Sequence, residues 1–246
     1  MAKQTLERIF WLAPIVLQII IAIAMFVRGL YRRVPYFFAY TVNVVVQSIV
    51  LLLMEKPTAA RFYAYWSGEV ISWILGMAVI YEIYASLLKE YSSLQKLGTF
   101  LFGAISVSLV LVSLFTSLNS PGADSFRLMQ GALTLERSVR IVQCGLLVAL
   151  FLFSSFFGLG WKNYLFGIAL GFAIFISVEL AVVALRAYSG ASLNHLYRWL
   201  KPGSYDLAVV VWGIYVIRSS RVADLRLLPK TQLAEWNQTL QELLHR

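Results

Sequence analysis

Four polar side chains interrupt an otherwise apolar stretch of the sequence, residues 133–147. They are Glu136, Arg137, Arg140 and Gln143. If the stretch is a helix, Glu136 and Arg140 share one face because they are four residues apart, and Gln143 continues that face one turn further. A guanidinium group matches the geometry of a carboxylate or a phosphate. The pattern therefore indicates that these residues bind an anionic group.

Two carboxylates in other apolar stretches are candidate partners for the arginines. Glu69 lies at the start of one such stretch, and Glu179 lies late in another. Arg140 and Glu179 are each roughly 10 Å along neighbouring antiparallel helices from the same membrane face, at the helical rise per residue. We therefore predict that Arg140 and Glu179 meet at one level, with Glu69 and Glu136 balancing charge or carrying protons.

The predicted ligand-binding cluster lies in the outer half of the membrane and has six members: Arg137, Arg140, Glu136, Glu179, Glu69 and Gln143. Ionisable side chains inside a membrane are expensive, and by default they mark a functional site. The alternative is an Arg–Glu network that only fixes helix packing, because buried ion pairs give specificity more reliably than stability. The sequence leaves both interpretations open.

The composition shows which elements must hold these side chains. The 246 residues are 60% hydrophobic and 13% charged, whereas soluble domains are about 45–50% apolar and about 25% charged. One crossing of the bilayer takes about 20 residues. The chain therefore has room for one membrane domain with short loops, and the predicted fold class is all-α, a polytopic membrane helix bundle.

The apolar runs predict seven transmembrane helices. Their bounds are about 9–27, 35–54, 67–88, 98–118, 131–157, 163–186 and 204–222. This membrane domain, residues 1–222, precedes a cytoplasmic tail of residues 223–246. Apolar residues follow helical spacing from Leu233 to Leu244, which predicts a C-terminal amphipathic helix over residues 231–244.

Two of the predicted loops have distinctive compositions. Residues 57–67 carry a group of aromatic side chains typical of the membrane–water boundary. Residues 187–203 contain Pro202 and Gly203, a dipeptide that favours a turn. Both segments are expected to be loops at a membrane face.

The positive charges predict the orientation of the chain. The formal net charge is +9, and Lys and Arg are in excess on the side that holds Arg28, Arg32, Arg33 and the C-terminal tail. Because cytoplasmic loops carry such an excess, we predict an outside N-terminus and a cytoplasmic C-terminus in the cell's inner (plasma) membrane. In a membrane protein this charge indicates contact with the lipid bilayer and not with nucleic acid.

Residues for metal, haem or covalent chemistry are sparse. Cys144 is the single cysteine, and His195 and His245 both lie outside the apolar stretches. A cysteine metal cluster and a haem held by two histidines are therefore excluded. The sequence has no His-Glu-x-x-His motif, no pair of membrane aspartates and no lysine in the last predicted span. We predict no cofactor, no metal site and no catalytic residue, and the pattern disfavours an enzyme.

Small and uncharged polar residues along the predicted spans indicate helix packing. Gly167 and Gly171 have the GxxxG spacing that lets another helix approach closely. Gln18, Asn43 and Gln47 fall near the middle of their spans, where hydrogen bonding between helices is their commoner role and lining of a pathway is the alternative.

Four motifs carry a resemblance to known proteins: Phe10-Trp11…Pro14, Tyr63-x-Tyr65-Trp66-x-x-Glu69, Leu-Glu-Arg-Ser-Val-Arg at 135–140, and Phe-Gly-Ile-Ala-Leu-Gly-Phe at 166–172. On these motifs the chain resembles a group of uncharacterised bacterial seven-helix integral membrane proteins. The resemblance covers most of the membrane region. It implies the architecture and carries no assigned activity.

Two functions fit these observations. The first is a sensor or carrier that binds a small, anionic ligand at the charged cluster, and a thin similarity between the first and last three spans fits the repeats of some carriers. The second is a structural or accessory subunit of a membrane complex, which recruits a protein partner through residues 231–244. A channel ranks behind both, because no polar row repeats along the spans.

Overall fold

The computed structural model describes residues 2–54, 58–89, 124–156, 160–189 and 194–218, together with isolated positions between 96 and 115. Regular structure in these ranges is helical. The six α-helices are α1 (Ala2–Val27), α2 (Pro35–Leu53), α3 (Ala59–Leu87), α4 (Asp124–Phe156), α5 (Asn163–Ser189) and α6 (Asn194–Arg218), and a 3-10 helix covers Leu30–Arg32.

Four of these helices are long and apolar enough to cross a membrane. They are Pro35–Leu53, Ala59–Leu87, Glu136–Phe156 within α4, and Asn163–Val182 within α5. The part Leu12–Val27 of α1 is a shorter apolar helix. The predicted all-helical class is confirmed for the described residues, and four helices have the length and composition of membrane spans. The predicted span 98–118 is described only at isolated positions, which are helical.

Helix α3 begins eight residues before the predicted span, so most of the predicted loop 57–67 is helical. The hydroxyl of Thr58 accepts a hydrogen bond of 3.3 Å from the backbone N–H of Arg61, which is an N-cap contact. The helix therefore begins directly after this cap, at Ala59. The aromatic side chains of this segment lie on the first turns of α3, where Phe62, Tyr63 and Tyr65 are exposed.

Helix α6 also differs from the prediction, because it begins at Asn194 and continues through Pro202 and Gly203. A proline inside a helix removes one backbone donor and costs about 3 kcal/mol, and packing against α5 supplies enough contact to keep the helix continuous. The hydroxyl of Ser204 donates 2.8 Å to the carbonyl of Lys201. The predicted loop 187–203 is therefore wrong over most of its length, and Lys201 lies on a helix.

Two further helix bounds differ from the predicted spans. Helix α4 begins at Asp124, seven residues before the predicted span, and α5 continues to Ser189. The predicted tail helix 231–244 lies outside the described residues.

The chain divides into two compact units. The first contains residues 1–79 and 162–223, and the second contains residues 80–161 and 224–246. In the first unit α5 and α6 form the most extensive helix pair. A Cβ atom at Gly167 would overlap Tyr215, and one at Gly171 would overlap the indole of Trp212. The predicted packing role of this glycine pair is confirmed.

One end of the first unit is closed by an arginine. The Nη1 atom of Arg28, just beyond α1, donates to the carbonyl of Val216 over 3.1 Å and to that of Ile217. The C-terminal ends of α1 and α6 therefore lie side by side, and these helices run parallel. Gly29 adopts a left-handed conformation, with φ of 69°, which reverses the chain before α2.

The second unit contains the C-terminal part of α3 and all of α4. Its buried side chains include Ile80, Ile83 and Leu88 from the end of α3, and Leu147 and Leu150 from α4. The polar residues Arg140 and Gln143 are also buried on α4. The second unit therefore contains the stretch 133–147, in which charged side chains interrupt an apolar sequence.

Candidate functional site

Four helices of the first unit bring polar side chains to the hydroxyl of Tyr205. The Nε2 atom of Gln18 on α1 donates a hydrogen bond of 2.8 Å to this hydroxyl. Tyr205 on α6 also hydrogen-bonds to Tyr40 of α2 and interacts electrostatically with Glu69 of α3. We call Gln18, Tyr40, Glu69 and Tyr205 the Tyr205 cluster.

The Tyr205 cluster lies near the middle of α6 and well inside α1. Gln18 is ten residues before Arg28 and Tyr205 is eleven before Val216. At the helical rise, both are about 15 Å from the end that Arg28 closes. The hydrocarbon core of a bilayer is about 30 Å thick. In a bilayer, groups at that distance from one membrane face would lie near the middle of the hydrocarbon core.

One acceptor of the Tyr205 cluster is unsatisfied. The side chain of Gln18 is 1% exposed, and its Oε1 atom has no hydrogen-bond partner among the described residues. A buried acceptor without a partner costs about 1–3 kcal/mol, and such atoms in native proteins call for a water, an ion or a ligand. The Oε1 atom marks a place where a donor from outside the chain would be stabilised.

An ion pair borders the Tyr205 cluster. The Nζ atom of Lys201 lies 2.8 Å from Oε1 of Glu179, and the two side chains are 47% and 5% exposed. Lys201 is one helical turn from Tyr205 on α6, so the two share a face. Phe175, one turn from Glu179 on α5, packs edge-on against the ring of Tyr205 at 5.3 Å. The ion pair and the cluster are therefore neighbours along both helices.

Aromatic rings surround the cluster on the side toward Arg28. The ring of Trp212 lies 5.0 Å from that of Phe172 and 5.4 Å from that of Phe37. Tyr40 is 5.1 Å from Phe172. The Nε1 atom of Trp212 donates 3.1 Å to the carbonyl of Ile168, which fixes the indole. These rings form a rigid, apolar boundary between the polar groups and the end of the unit where Arg28 lies.

The second unit holds the remaining predicted residues. The Nη1 atom of Arg140 donates 3.1 Å to Oε1 of Gln143. Arg140 is 8% exposed and Gln143 is fully buried, whereas Glu136 is half-buried and Arg137 is exposed. The structure therefore brings Arg140 and Gln143 together inside the unit and turns Arg137 outward.

The six predicted residues fall into the two units. Glu69 and Glu179 belong to the first unit, and Glu136, Arg137, Arg140 and Gln143 belong to the second. Glu69 interacts electrostatically with Tyr205, and Glu179 is one helical turn from Phe175, whose ring packs against that of Tyr205. The predicted contact of Arg140 with Glu179 stays a prediction.

Sequence reasoning missed Tyr205, Tyr40 and Lys201 as candidate site residues. Lys201, Tyr205 and Trp212 follow helical spacing and share one face of α6. Pro202 and Gly203 interrupt that pattern, which led to the prediction of a loop. Gln18 was predicted to bond between helices, and its bond to Tyr205 agrees with that role.

The chemistry available at these sites is hydrogen bonding, ion pairing and proton exchange. Among the described residues no group of three His, Cys, Asp or Glu side chains could hold a metal ion. Cys144 is half-buried and is not part of a disulfide. Comparison of the chain with family models, curated proteins and solved structures finds no match.

Proposed function

We propose that this membrane protein binds a small polar ligand at the Tyr205 cluster, as a carrier or a sensor. The observation that carries the proposal is the Oε1 atom of Gln18, a buried acceptor without a partner in the described chain, at the point where four helices bring polar groups together. The ligand would donate a hydrogen bond to this atom and interact with the carboxylate of Glu69.

The depth of the cluster supports a functional role. A polar group in hydrocarbon without a hydrogen bond is costly, and ionisable residues inside membranes mark ligand, ion or proton pathways. Arg140 and Gln143 of the second unit form a separate buried polar pair. We propose that this pair binds the anionic group of a ligand, because the guanidinium fork suits carboxylates and phosphates.

The second candidate function is a structural or accessory subunit, and the Glu179–Lys201 contact favours it. Its atoms are 2.8 Å apart and its carboxylate is buried, which is the geometry of a packing contact. In this case the polar groups fix helix register, and a protein partner binds through residues 231–244. Deletion of residues 229–246 would then release the partner.

The proposed topology has seven spans, with an outside N-terminus and a cytoplasmic C-terminus. The arrangement of charge at one end of the first unit supports it. Arg28 contacts the C-terminal turn of α6, where Arg218 is also located, and Arg32 and Arg33 follow in the connection to α2. Such a concentration of arginine favours the cytoplasmic face. The inner membrane of a bacterium is the proposed location, on the resemblance of the four motifs.

A ligand screen with matched variants tests the proposed function. The melting temperature of the detergent-purified chain is measured with amino acids, polyols and short carboxylates. A ligand at a hundred times its Kd adds about 2.7 kcal/mol of stability, which is about 5 °C or more for a chain of this size. Tyr205→Phe removes the hydroxyl at the cluster, and Tyr215→Phe makes the same change almost three turns further along α6.

The expected result is a shift in the wild type and in Tyr215→Phe that is lost in Tyr205→Phe. An equal shift in Tyr205→Phe, or no shift of the wild type with any of these compounds, would contradict the proposal. A Tyr205→Phe protein that melts well below the wild type without ligand would favour the structural role.

A further inference from the structure

A surface groove of the first unit lies between α1 and α6. It has a volume of about 330 Å³ and is lined by Leu17, Val210, Gly213, Ile214, Ile217 and Arg218. Val210, Ile214 and Ile217 are each 44% exposed. Five of the six lining residues are apolar, and the single charged residue is at the C-terminal end of α6. The groove is therefore apolar along most of its length and charged at one end.

The groove is open because position 213 has no side chain. A Cβ atom at Gly213 would lie 3.7 Å from Cδ1 of Leu17 and 3.8 Å from Ile21, which is ordinary van der Waals contact. From Val210 to Arg218 the groove extends about 12 Å along α6. One leaflet of a bilayer contributes about 15 Å of hydrocarbon. The groove therefore matches the depth of one leaflet.

Two arginines concentrate positive charge at the mouth of the groove. Arg218 lines it, and Nη1 of Arg28 bonds to the carbonyls of Val216 and Ile217, the two residues that precede Arg218. A guanidinium carries five N–H donors, and these two bonds use only Nη1. The end of a helix carries about half a negative charge, which two full positive charges outweigh. A phosphate at this mouth would meet N–H donors and a favourable field.

We propose that this groove binds one anionic phospholipid, with an acyl chain along Leu17, Gly213 and Ile214 and the phosphate between Arg28 and Arg218. Anionic headgroups attract basic residues at membrane faces, and the apolar groove runs directly from that charge into the membrane. A zwitterionic lipid would make the same acyl-chain contacts, but it has no net negative charge to attract the arginines. This site is separate from the Tyr205 cluster and does not depend on the proposed ligand.

Native mass spectrometry of the full chain tests the proposal. The purified protein is equilibrated with equal amounts of phosphatidylglycerol and phosphatidylcholine that carry the same acyl chains, and the retained lipids are counted. The wild type is expected to retain one phosphatidylglycerol in preference to phosphatidylcholine. Arg218→Gln should weaken this retention about fivefold, the effect of one basic residue near an anionic surface. Arg28→Gln should do the same.

Four further measurements distinguish a specific lipid site from non-specific attraction between basic residues and anionic lipid. Arg33→Gln removes a charge at the same end but outside the groove lining, and it should leave retention unchanged. Gly213→Leu keeps both arginines and fills the groove, so it should abolish the preference. Because Arg28 also bonds to α6, Arg28→Lys keeps the charge if Arg28→Gln fails to fold. Inorganic phosphate should not displace the lipid, since it lacks the acyl chain.

Equal retention of the two lipids by the wild type would overturn the proposal. So would a loss in Arg33→Gln as large as that in Arg218→Gln, because it would show a diffuse charge effect. Displacement by inorganic phosphate would show an anion site without a lipid chain, and a dimer held through this groove in place of lipid would also contradict it.

Discussion

Gln18 of α1 and Tyr205 of α6 share a hydrogen bond of 2.8 Å across 187 positions of the sequence. The bond links two parallel helices about 15 Å from the end that Arg28 closes. It satisfies the amide nitrogen of Gln18, whereas the amide oxygen has no partner in the part of the chain that the structure describes. If the pair served packing alone, an apolar side chain in place of Gln18 would give a more stable protein, because a buried acceptor without a partner is costly. The pair is therefore the clearest sign of a binding site in the first unit.

Replacing Gln18 tests whether the amide serves binding or packing. Gln18→Leu removes the unpartnered oxygen, so we expect a protein at least as stable as the wild type that no longer responds to the ligand. The measurement is the melting temperature with and without the ligand found in the screen. Asn43→Leu is the control, because Asn43 donates 2.9 Å to the hydroxyl of Ser72. Its loss should destabilise by about 0.6 kcal/mol. A marked destabilisation by Gln18→Leu would support packing.

Removing Lys201 tests the ion pair beside the cluster. Lys201→Met leaves the carboxylate of Glu179 buried without this cation, and we expect a loss of about 2 kcal/mol. That is below the 3–5 kcal/mol for a fully buried pair, because the lysine is half-exposed. The double variant Glu179→Gln with Lys201→Met should recover most of the loss. Thermal melting in one detergent measures both, and additive losses would show that the pair is not coupled.

Helix packing around the aromatic boundary depends on Gly171. Gly171→Ala places a Cβ against the fixed indole of Trp212, and overpacking of this kind costs about 1–3 kcal/mol. Gly145→Ala on α4 is the matched control, since no atom of the described residues lies within 4 Å of a Cβ there. Alanine is the better helix former, so this control should not lower the melting temperature. Equal effects of the two substitutions would contradict the described α5–α6 contact.

The buried arginine of the second unit gives a prediction about anionic compounds. Arg140→Ala should abolish the response of the melting temperature to carboxylates and phosphates, whereas Arg137→Ala should keep it, because Arg137 is exposed. Arg140→Lys keeps the charge and checks that any loss is not due to unfolding. Identical behaviour of Arg140→Ala and Arg137→Ala would remove the case for an anion site at Arg140 and Gln143.

The proposed orientation predicts which end of α2 is accessible from outside the cell. In a Cys144→Ser background, Thr58→Cys and Arg33→Cys place thiols beyond opposite ends of this helix. An impermeant maleimide should label the Thr58→Cys protein on intact cells, and should label the Arg33→Cys protein only after permeabilisation. The reverse pattern would show that the arginine-rich end faces outward.

The sequence predicted the features that depend on local pattern. Apolar runs predicted the membrane helices, the glycine spacing predicted the contact of Gly167 and Gly171 with another helix, and the three-residue spacing of Arg140 and Gln143 placed both on one face. Tyr205 lies inside the predicted span 204–222, but its partners on other helices could not be predicted. Lys201 was missed because Pro202 and Gly203 have the composition of a turn. Tertiary packing against α5 overrides that local preference.

The prediction of one six-residue cluster shows a second limit of sequence reasoning. Depth along a helix can be counted from the sequence, and that count placed Glu69 and Glu179 near the same face. The rotation of each helix about its axis cannot be counted in this way. The contacts of Tyr205 therefore became visible only in the structure.

The proposed function requires that a polar ligand can reach the Tyr205 cluster. Its most direct test is the reaction of Gln18→Cys, in a Cys144→Ser background, with a small water-soluble methanethiosulfonate. We predict that this thiol reacts, because a site that admits a polar ligand also admits a small water-soluble reagent. Ile21→Cys, at a fully buried apolar position one turn along α1, should not react. A Gln18→Cys protein that is as unreactive as Ile21→Cys would show a dry packing contact and contradict the account.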